Sequence, residues 1–411
     1  MQNNNTFSEH TSQTKKLTVG LLWHSLSSDN LGVGALTESQ IAICTSAAAK
    51  AGVTLSFIIF GTQGRLNYGP TNGSVKMGSR ISIKQIVTGR SPFFKEIAEC
   101  DLVLDIGEGD SFTDIYGISR YLFLIVSKIV VLAKLKPLIL SPQTIGPFNN
   151  WFTRRIAASI MRRCHMVFAR DGLSAKYLTE CGVTKNVREA IDVAFRLPYQ
   201  NINQGPTSTI RIGVNVSGLL YSGGYSGNNQ FDLSVDYPTL IRSLLDRWTN
   251  DKNFEVWLFA HVVSDTFPRD DDRIAIKKLI SEYPTAHLAP EFNSPSEAKS
   301  FISSMDFVTG ARMHACIAAF SAGVPVAPFA YSRKFNGLFT SVDYSVIADG
   351  KSLNTHDAIE LISDAFINRD SLKRNVCTGN KIAESKLADY EATLKSLFEK
   401  LTRTRTPAVI K

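Results

Sequence analysis

The sequence has no paired cysteine motif. Its six cysteines, Cys44, Cys100, Cys164, Cys181, Cys316 and Cys377, form no C-x-x-C, and most sit inside apolar runs. That pattern points to reduced thiols in an intracellular protein and away from a cysteine-built metal site. A long unbroken apolar run is also missing. The most apolar window, residues 121–140, is interrupted by Lys128, Lys134, Lys136 and Pro137. It reads as a buried helix followed by a strand rather than a membrane span, with a peripheral membrane contact left open. Residues 1–16 are polar, hold no apolar core and read as a disordered tail rather than a signal peptide.

Several catalytic signatures are absent too. No G-x-G-x-x-G is complete, and the second strand ends in Phe60-Gly61, with no acid for a ribose. A dinucleotide site is therefore disfavoured. There is no G-x-S-x-G elbow and no cysteine-nucleophile context, so covalent catalysis is not indicated. His261, Asp265, Asp270, Asp271 and Asp272 match no metal spacing, and helix capping is the better reading for the aspartates. The expectation is an activity without a cofactor or metal.

What is present is a chain long enough for two or three domains, at 411 residues. It is 44% hydrophobic and 20% charged, which is enough to bury cores and excludes broad disorder. The net charge of +8 favours an anionic partner: a phosphorylated small molecule, a membrane surface or nucleic acid. Nothing resembles a nucleic-acid module, and the basic residues read as scattered over a solvated surface.

Strand and helix signals alternate. Strands are expected at 17–22, 53–60, 102–106, 138–141 and 166–169, with helices at 35–51, 118–135 and 153–164 and another ending at Cys181. Residues 195–209, FRLPYQNINQGPTST, form a proline-punctuated linker. The alternation then restarts, with strands at 210–216, 255–260, 305–310 and 326–330 and helices at 237–249, 270–283, 294–304 and 315–322. Residues 217–230 read as a glycine-rich, mobile loop. A helical stripe at 385–401 should pack on one of the two domains. The fold class is α/β, with two Rossmann-like domains facing a cleft: residues 17–200, residues 201–384, and a C-terminal helix and tail at 385–411.

The most informative stretch is 305–335, MDFVTGARMHACIAAFSAGVPVAPFAYSRKF. A strand ends at Thr309-Gly310, and Arg312 and His314 open the following helix. Tyr331, Arg333 and Lys334 follow the next strand. Arg312 offers a planar fork for carboxylate or phosphate, and His314 can move a proton near neutral pH. Asn215, at the end of another strand, joins the candidate binding set. Two glycine turns follow strands in the first half: Gly32-Val33-Gly34 beside Asn30, and Gly107-Glu108-Gly109-Asp110. Glu108, Asp110 and Asp114 could supply a general base or cap a helix. Arg170 could reach the cleft or pair locally with Asp171.

Taken together these pieces resemble the polysaccharide pyruvyl transferase family. The resemblance rests on Asn30-Leu31-Gly32 with Gly34-Ala35-Leu36, Asp101 to Leu104 leading into Gly107-Glu108-Gly109, Ile145-Gly146-Pro147-Phe148, Arg170-Asp171 with Ser174, and Gly310 to Ala315 followed by Gly323-Val324-Pro325, Tyr331 and Lys334. The family often has Gly-Asp where this chain has Gly32-Val33, and three glycines where it has Gly-Glu-Gly-Asp. The resemblance implies a glycosyltransferase-B-like fold, with an acceptor side first and a donor side second. It also implies transfer of pyruvate from phosphoenolpyruvate to a saccharide, free or lipid-linked, as a ketal. The implied location is the cytoplasm, with the inner face of the membrane as one setting. Under it, His314 is the candidate acid and Asp110 or Glu108 the base. Arg312, Arg170, Lys334, Tyr331, Asn215, Asn30, Gly32, Gly107 and Gly109 are the candidate binding set. The alternatives are a glycosyltransferase using a nucleotide sugar, whose diphosphate Arg312 and Lys334 would hold, and a non-catalytic glycan- or anion-binding homologue.

Overall fold

The computed structural model describes residues 15–69, 73–109, 111–202, 205 and 208–404. The first domain runs through Lys15–Leu22 (β1), Leu31–Ala51 (α1), Val53–Phe60 (β2), Val75–Met77 (β3), Ile83–Val87 (α2), Phe93–Glu99 (α3), Leu102–Asp105 (β4), Ile118–Ala133 (α4), Leu138–Gln143 (β5), Trp151–Arg163 (α5), Met166–Ala169 (β6), Gly172–Glu180 (α6) and Val187–Glu189 (β7). The second continues with Ile210–Asn215 (β8), Gly218–Tyr221 (α7), Tyr237–Trp248 (α8), Phe254–Phe259 (β9), Asp272–Glu282 (α9), His287–Leu288 (β10), Pro295–Ile302 (α10), Phe307–Gly310 (β11), Met313–Ser321 (α11), Val326–Ala330 (β12), Arg333–Thr340 (α12), Ala348–Asp349 (β13), Thr355–Ile367 (α13) and Arg369–Thr404 (α14).

The central strands are apolar and buried on both faces, as parallel strands covered by helices must be. The two parallel sheets are built alike. Their orders are β3-β2-β1-β4-β5-β6-β7 and β10-β9-β8-β11-β12-β13. Each reverses direction beside its first strand, between β1 and β4 and between β8 and β11. Crevices beyond the strand ends at such points are where open α/β sheets take ligands. The two-domain expectation therefore holds. Of the expected tail at 1–16, residues 1–14 lie outside the described residues, while Lys15 and Lys16 begin β1.

Three local differences from the sequence expectations matter. First, α1 starts at Leu31 rather than Ala35, because the Asn30 carboxamide oxygen accepts the Gly32 N–H at 2.9 Å. Gly32 and Gly34 thus lie in a helical first turn, not in an open loop. Second, the glycine-rich segment after β8 begins with one helical turn, capped by the Ser217 hydroxyl. Third, α14 is far longer than the expected stripe and touches both domains. Asn380 donates to the Phe320 carbonyl at 2.7 Å. Tyr390 bonds Gln40 and Ser141 at 3.0 and 3.1 Å, and Glu391 accepts from Ser46, Lys50 and Arg196. The linker between the sheets is also held. Lys299, buried on α10, donates to the Leu197 carbonyl at 3.1 Å, and burial pushes its ammonium down to about 7.

Candidate active site between the two domains

The second domain contributes the ends of β8 and β11. Asn215 ends β8 fully buried. Its oxygen accepts the Arg312 N–H at 2.9 Å, and its amide donates to the Phe259 carbonyl at 3.1 Å. A Cβ on Gly310 would lie 2.6 Å from the Asn215 Cβ, so this close approach requires glycine. Asn215 thus aims Arg312 and spends its own polar atoms doing so.

Arg312 is already engaged. Its Nη2 donates to Asp272 Oδ1 at 2.6 Å and to Asp270 Oδ1 at 2.8 Å, and its Nε to Asp272 at 3.1 Å. Nη1 takes part in none of these bonds. Asp272 is wholly buried and also accepts the backbone N–H groups of Gly218, His261 and Val262. Burial raises the Asp272 carboxyl above the usual carboxylate range, against the pull of Arg312 and these donors. Burial also opposes the guanidinium charge of Arg312, but Asp272 and Asp270 outweigh it and hold the group above its usual value. Of the three neighbouring aspartates, Asp271 acts as the cap of α9, and Asp270 and Asp272 hold Arg312.

His314 sits two residues further along, in the first turn of α11, 11% exposed, where the two domains meet. Its Nδ1 faces α1: a Cβ on Gly32 would lie 2.4 Å from that nitrogen. Its Nε2 stands 3.8 Å from Asp192, a buried residue that follows β7 just before the linker. Asp192 accepts from Arg170 Nη1 at 2.7 Å and from the Ala194 N–H at 2.9 Å. Arg170, buried after β6, also points Nη2 at the Met313 sulfur, 3.7 Å away. The chain Arg170–Asp192–His314 therefore crosses from one domain to the other. The junction is stitched by backbone as well. Leu31 N–H donates to the His261 carbonyl at 3.1 Å, and Val263 N–H to that of Asp29 at 2.9 Å. Burial pushes the His261 imidazole down to about 3, with His314 and Arg312 nearby adding to the effect.

The first domain contributes the turn after β4. Gly107, Glu108 and Gly109 are all left-handed, at φ of 63°, 59° and 79°. Glu108 is the one that carries a side chain there, in a conformation that L-residues seldom adopt. Its carboxylate accepts from Arg120 at 3.3 Å and from the Thr62 N–H at 3.3 Å. A buried ion pair underlies the turn: Lys128 Nζ is 2.9 Å from Asp105, whose other oxygen accepts the Gly107 N–H. Gly107 itself leaves no room for a side chain, since a Cβ would meet Gln143 Oε1 at 2.7 Å. Asp110 lies outside the described residues. Asp114 is a cap: it accepts the N–H groups of Asn149 and Asn150 and the Thr153 hydroxyl at the start of α5. Burial works against its charge, but those donors hold its carboxyl below the usual range.

Glu108 opens onto a cavity of about 710 Å³. Trp23, Arg80, Tyr116 and Arg120 share its wall. Lys334 of the second domain lies over the Tyr116 ring at 5.2 Å, and Arg333 reaches the carbonyls of Ile145 and Gly146. Tyr331 packs edge-on to Phe231 and Phe335 instead. The candidate residues thus form two groups. Arg170, Asn215, Arg312 and His314, with Asn30 and Gly32, line the domain junction. Glu108 and the glycines of its turn face the first-domain cavity, and Lys334 crosses to its rim.

A family model described as polysaccharide pyruvyl transferase matches residues 41–333 of this chain. The chain belongs to the polysaccharide pyruvyl transferase family. It is a transferase of polysaccharide biosynthesis. It is similar to the amylovoran biosynthesis protein AmsJ of Erwinia amylovora, with 22% identity over 316 residues, 71% of this chain and 73% of AmsJ. Its fold is glycosyltransferase-B-like. The UDP-GlcNAc 2-epimerase of Neisseria meningitidis, solved bound to UDP-GlcNAc, aligns at a TM-score of 0.55 and 14% identity over 93% of this chain and all of that one. A glycosyltransferase of Rickettsia africae aligns at 0.53 and 11% identity, over 96% of this chain and all of that one.

Three residues of the candidate site gave no such role in the sequence: Asp192 as the link between Arg170 and His314, Asp272, read there as a helix cap, as the anchor of Arg312, and Arg120 as the partner of Glu108. Asp192 and Asp272 sit 22 and 40 residues from their arginines, and Arg120 sits 12 from Glu108. The motif Ala190-Ile191-Asp192 after a short strand was the one local signal, a charged residue at a strand exit.

Proposed function

We propose that this enzyme transfers the pyruvyl group of phosphoenolpyruvate onto two hydroxyls of a saccharide acceptor as a ketal. The observation that carries this reading is the placement of His314. It is an imidazole at a helix N-terminus, beside Arg312 and 3.8 Å from Asp192, at the junction of the two domains. Arg312 Nη1 and the N-terminal turn of α11 bind the donor's negative charge. His314 delivers a proton to the methylene carbon of the enol, which leaves C2 electrophilic. One acceptor hydroxyl adds to C2 and loses its proton to Glu108. Phosphate departs with the C2–O bond pair and the proton held by Glu108, and the second hydroxyl closes the ketal and returns its proton to His314. The acceptor occupies the cavity beside Glu108, with Arg80 and Arg120 favouring an anionic saccharide or carrier phosphate. Atoms balance without a metal or redox partner.

The test uses the full-length protein. Phosphoenolpyruvate should raise its melting temperature more than a nucleotide sugar does, and phosphate release should depend on a saccharide acceptor. Protection by the nucleotide sugar alone, with no phosphate released across an acceptor panel, would sink the reading.

A further inference from the structure

The charge of this chain is not scattered. Between residues 115 and 170 lie nine of its 45 Lys and Arg and none of its 37 Asp and Glu. That stretch accounts for the whole net charge of +8, and the rest of the chain is nearly neutral. It comprises α4, β5, α5 and β6. Lys128 and Arg170 are buried in ion pairs, and Arg120 pairs with Glu108. Arg155, Arg162 and Arg163 on α5 and Lys134 beyond α4 are exposed.

The same face is apolar at one end. Ile118, Leu122 and Ile129 project outward from α4, while Tyr121, Leu124, Ile125 and Lys128 fill its buried side. Trp151 and Phe152, the first residues of α5, are 68% and 57% exposed, and their rings stack edge to face. Ile115 and Tyr116 are exposed beside them. One junction holds these residues together: Asp114 grips the start of α5, and the Tyr121 hydroxyl donates to the Thr153 carbonyl at 2.7 Å. Exposed aromatic and aliphatic side chains flanked by several arginines, with the acid Glu180 beside them, are what an anionic interface selects. Basic side chains meet the headgroups, and Trp, Phe, Ile and Leu enter the acyl boundary.

We propose that the α4–α5 face of the first domain docks on an anionic lipid bilayer through Trp151, Phe152, Ile118 and Leu122, with Arg155 and Arg163 against the headgroups. Tyr116 belongs both to this patch and to the wall of the Glu108 cavity. Docking therefore sets the cavity mouth beside the membrane, where a lipid-carried acceptor would present its sugar. The docking itself does not depend on which reaction the site performs.

The test is flotation of the full-length protein at ~0.15 M salt with vesicles of phosphatidylglycerol and phosphatidylcholine in equal parts, against phosphatidylcholine alone. Binding should be at least tenfold stronger to the anionic vesicles. Trp151 is the most exposed tryptophan, since Trp23 and Trp248 are buried and Trp257 half-buried, so emission should shift to the blue on binding. The surface variant Trp151→Ser/Phe152→Ser should keep its melting temperature, lose that shift and bind at least tenfold more weakly. Arg155→Glu/Arg163→Glu should do likewise; Arg162 is left in place because it donates to the Cys181 and Gly182 carbonyls. Absence of binding to the anionic vesicles, binding unchanged in both variants, or Trp151-dependent self-association in place of vesicle binding would each overturn the proposal.

Discussion

Gly32 and His314 come from different domains and touch so closely that a single methyl on Gly32 would lie 2.4 Å from the imidazole Nδ1. Gly32 stands in the first turn of α1 without a positive φ. Helix propensity alone would favour alanine there by ~1 kcal/mol. The glycine is explained by the imidazole and not by the backbone.

Gly32→Ala should therefore separate fold from function. The variant should keep its melting temperature within a few degrees, because helix propensity offsets part of the clash. Turnover should fall by roughly tenfold to a hundredfold, as His314 or the domain junction is displaced. Wild-type turnover in a folded Gly32→Ala protein would mean that the His314 position is immaterial.

Asp192 neutralises Arg170 in a buried setting and faces His314 as well. Asp192→Asn should destabilise the protein by roughly 3–5 kcal/mol, since it leaves a buried guanidinium without its carboxylate. Replacing both partners, as Arg170→Met/Asp192→Leu, should recover much of that loss without recovering activity. Urea midpoints of the three proteins check this. Equal stability of Asp192→Asn and wild type would show that the pair is dispensable.

Arg312→Ala should act first on stability, because Asp272 is fully buried and Arg312 is its charge partner. The expected loss is again roughly 3–5 kcal/mol. Arg312→Ala/Asp272→Asn removes the stranded carboxylate and should regain stability, yet phosphoenolpyruvate binding should stay weak. Calorimetric titration of the folded double variant decides whether Arg312 holds the donor. Normal donor affinity there would assign Arg312 to the scaffold alone.

His24 and His261 set a pH dependence. Burial pushes both imidazoles down to about 3, while in the unfolded chain they titrate near 6.5. Below pH 6.5 the unfolded state takes protons that the native state refuses, so stability is present above that pH and lost as pH falls. Each histidine contributes a slope of up to ~1.4 kcal/mol per pH unit. Glu38, raised by burial to about 6, holds a native proton between about 4.5 and 6 and offsets one of them there. From pH 6 to 5 the net loss should be roughly 1.4 kcal/mol from these three groups. His24→Gln/His261→Gln should flatten or reverse that slope in urea titrations. An unchanged slope would place the acid sensitivity elsewhere.

Much of the fold was legible because the central strands are short apolar runs ended by glycine turns, and the amphipathic helices carry their period openly. Edge strands such as Val75–Met77 and Ala348–Asp349 have too few residues to show one. The start of α1 was hidden because Gly32 and Gly34 read as a turn, although Asn30 was there to cap a helix. Helix α13 went unread despite the Asn354 cap and its bond to the Asp357 N–H. At the site, Arg312 and His314 stood out by their place after a strand. Their partners did not. Asp272 is 40 residues from Arg312, and Asp192 is 22 from Arg170. Only the placement of separate strand exits side by side within each sheet brings those charges together, and no local spacing encodes it.

The central claim is that His314 delivers the proton that activates the donor. The most direct measurement is acceptor-dependent phosphate release from phosphoenolpyruvate by His314→Ala and His314→Gln, with melting temperature and donor affinity taken on the same preparations. Turnover should fall by roughly a hundredfold or more in both, with donor binding and melting temperature close to wild type. Glutamine should not rescue the rate, since an amide can hydrogen-bond but cannot deliver a proton. A well-folded His314→Ala enzyme with near-normal turnover would contradict the account.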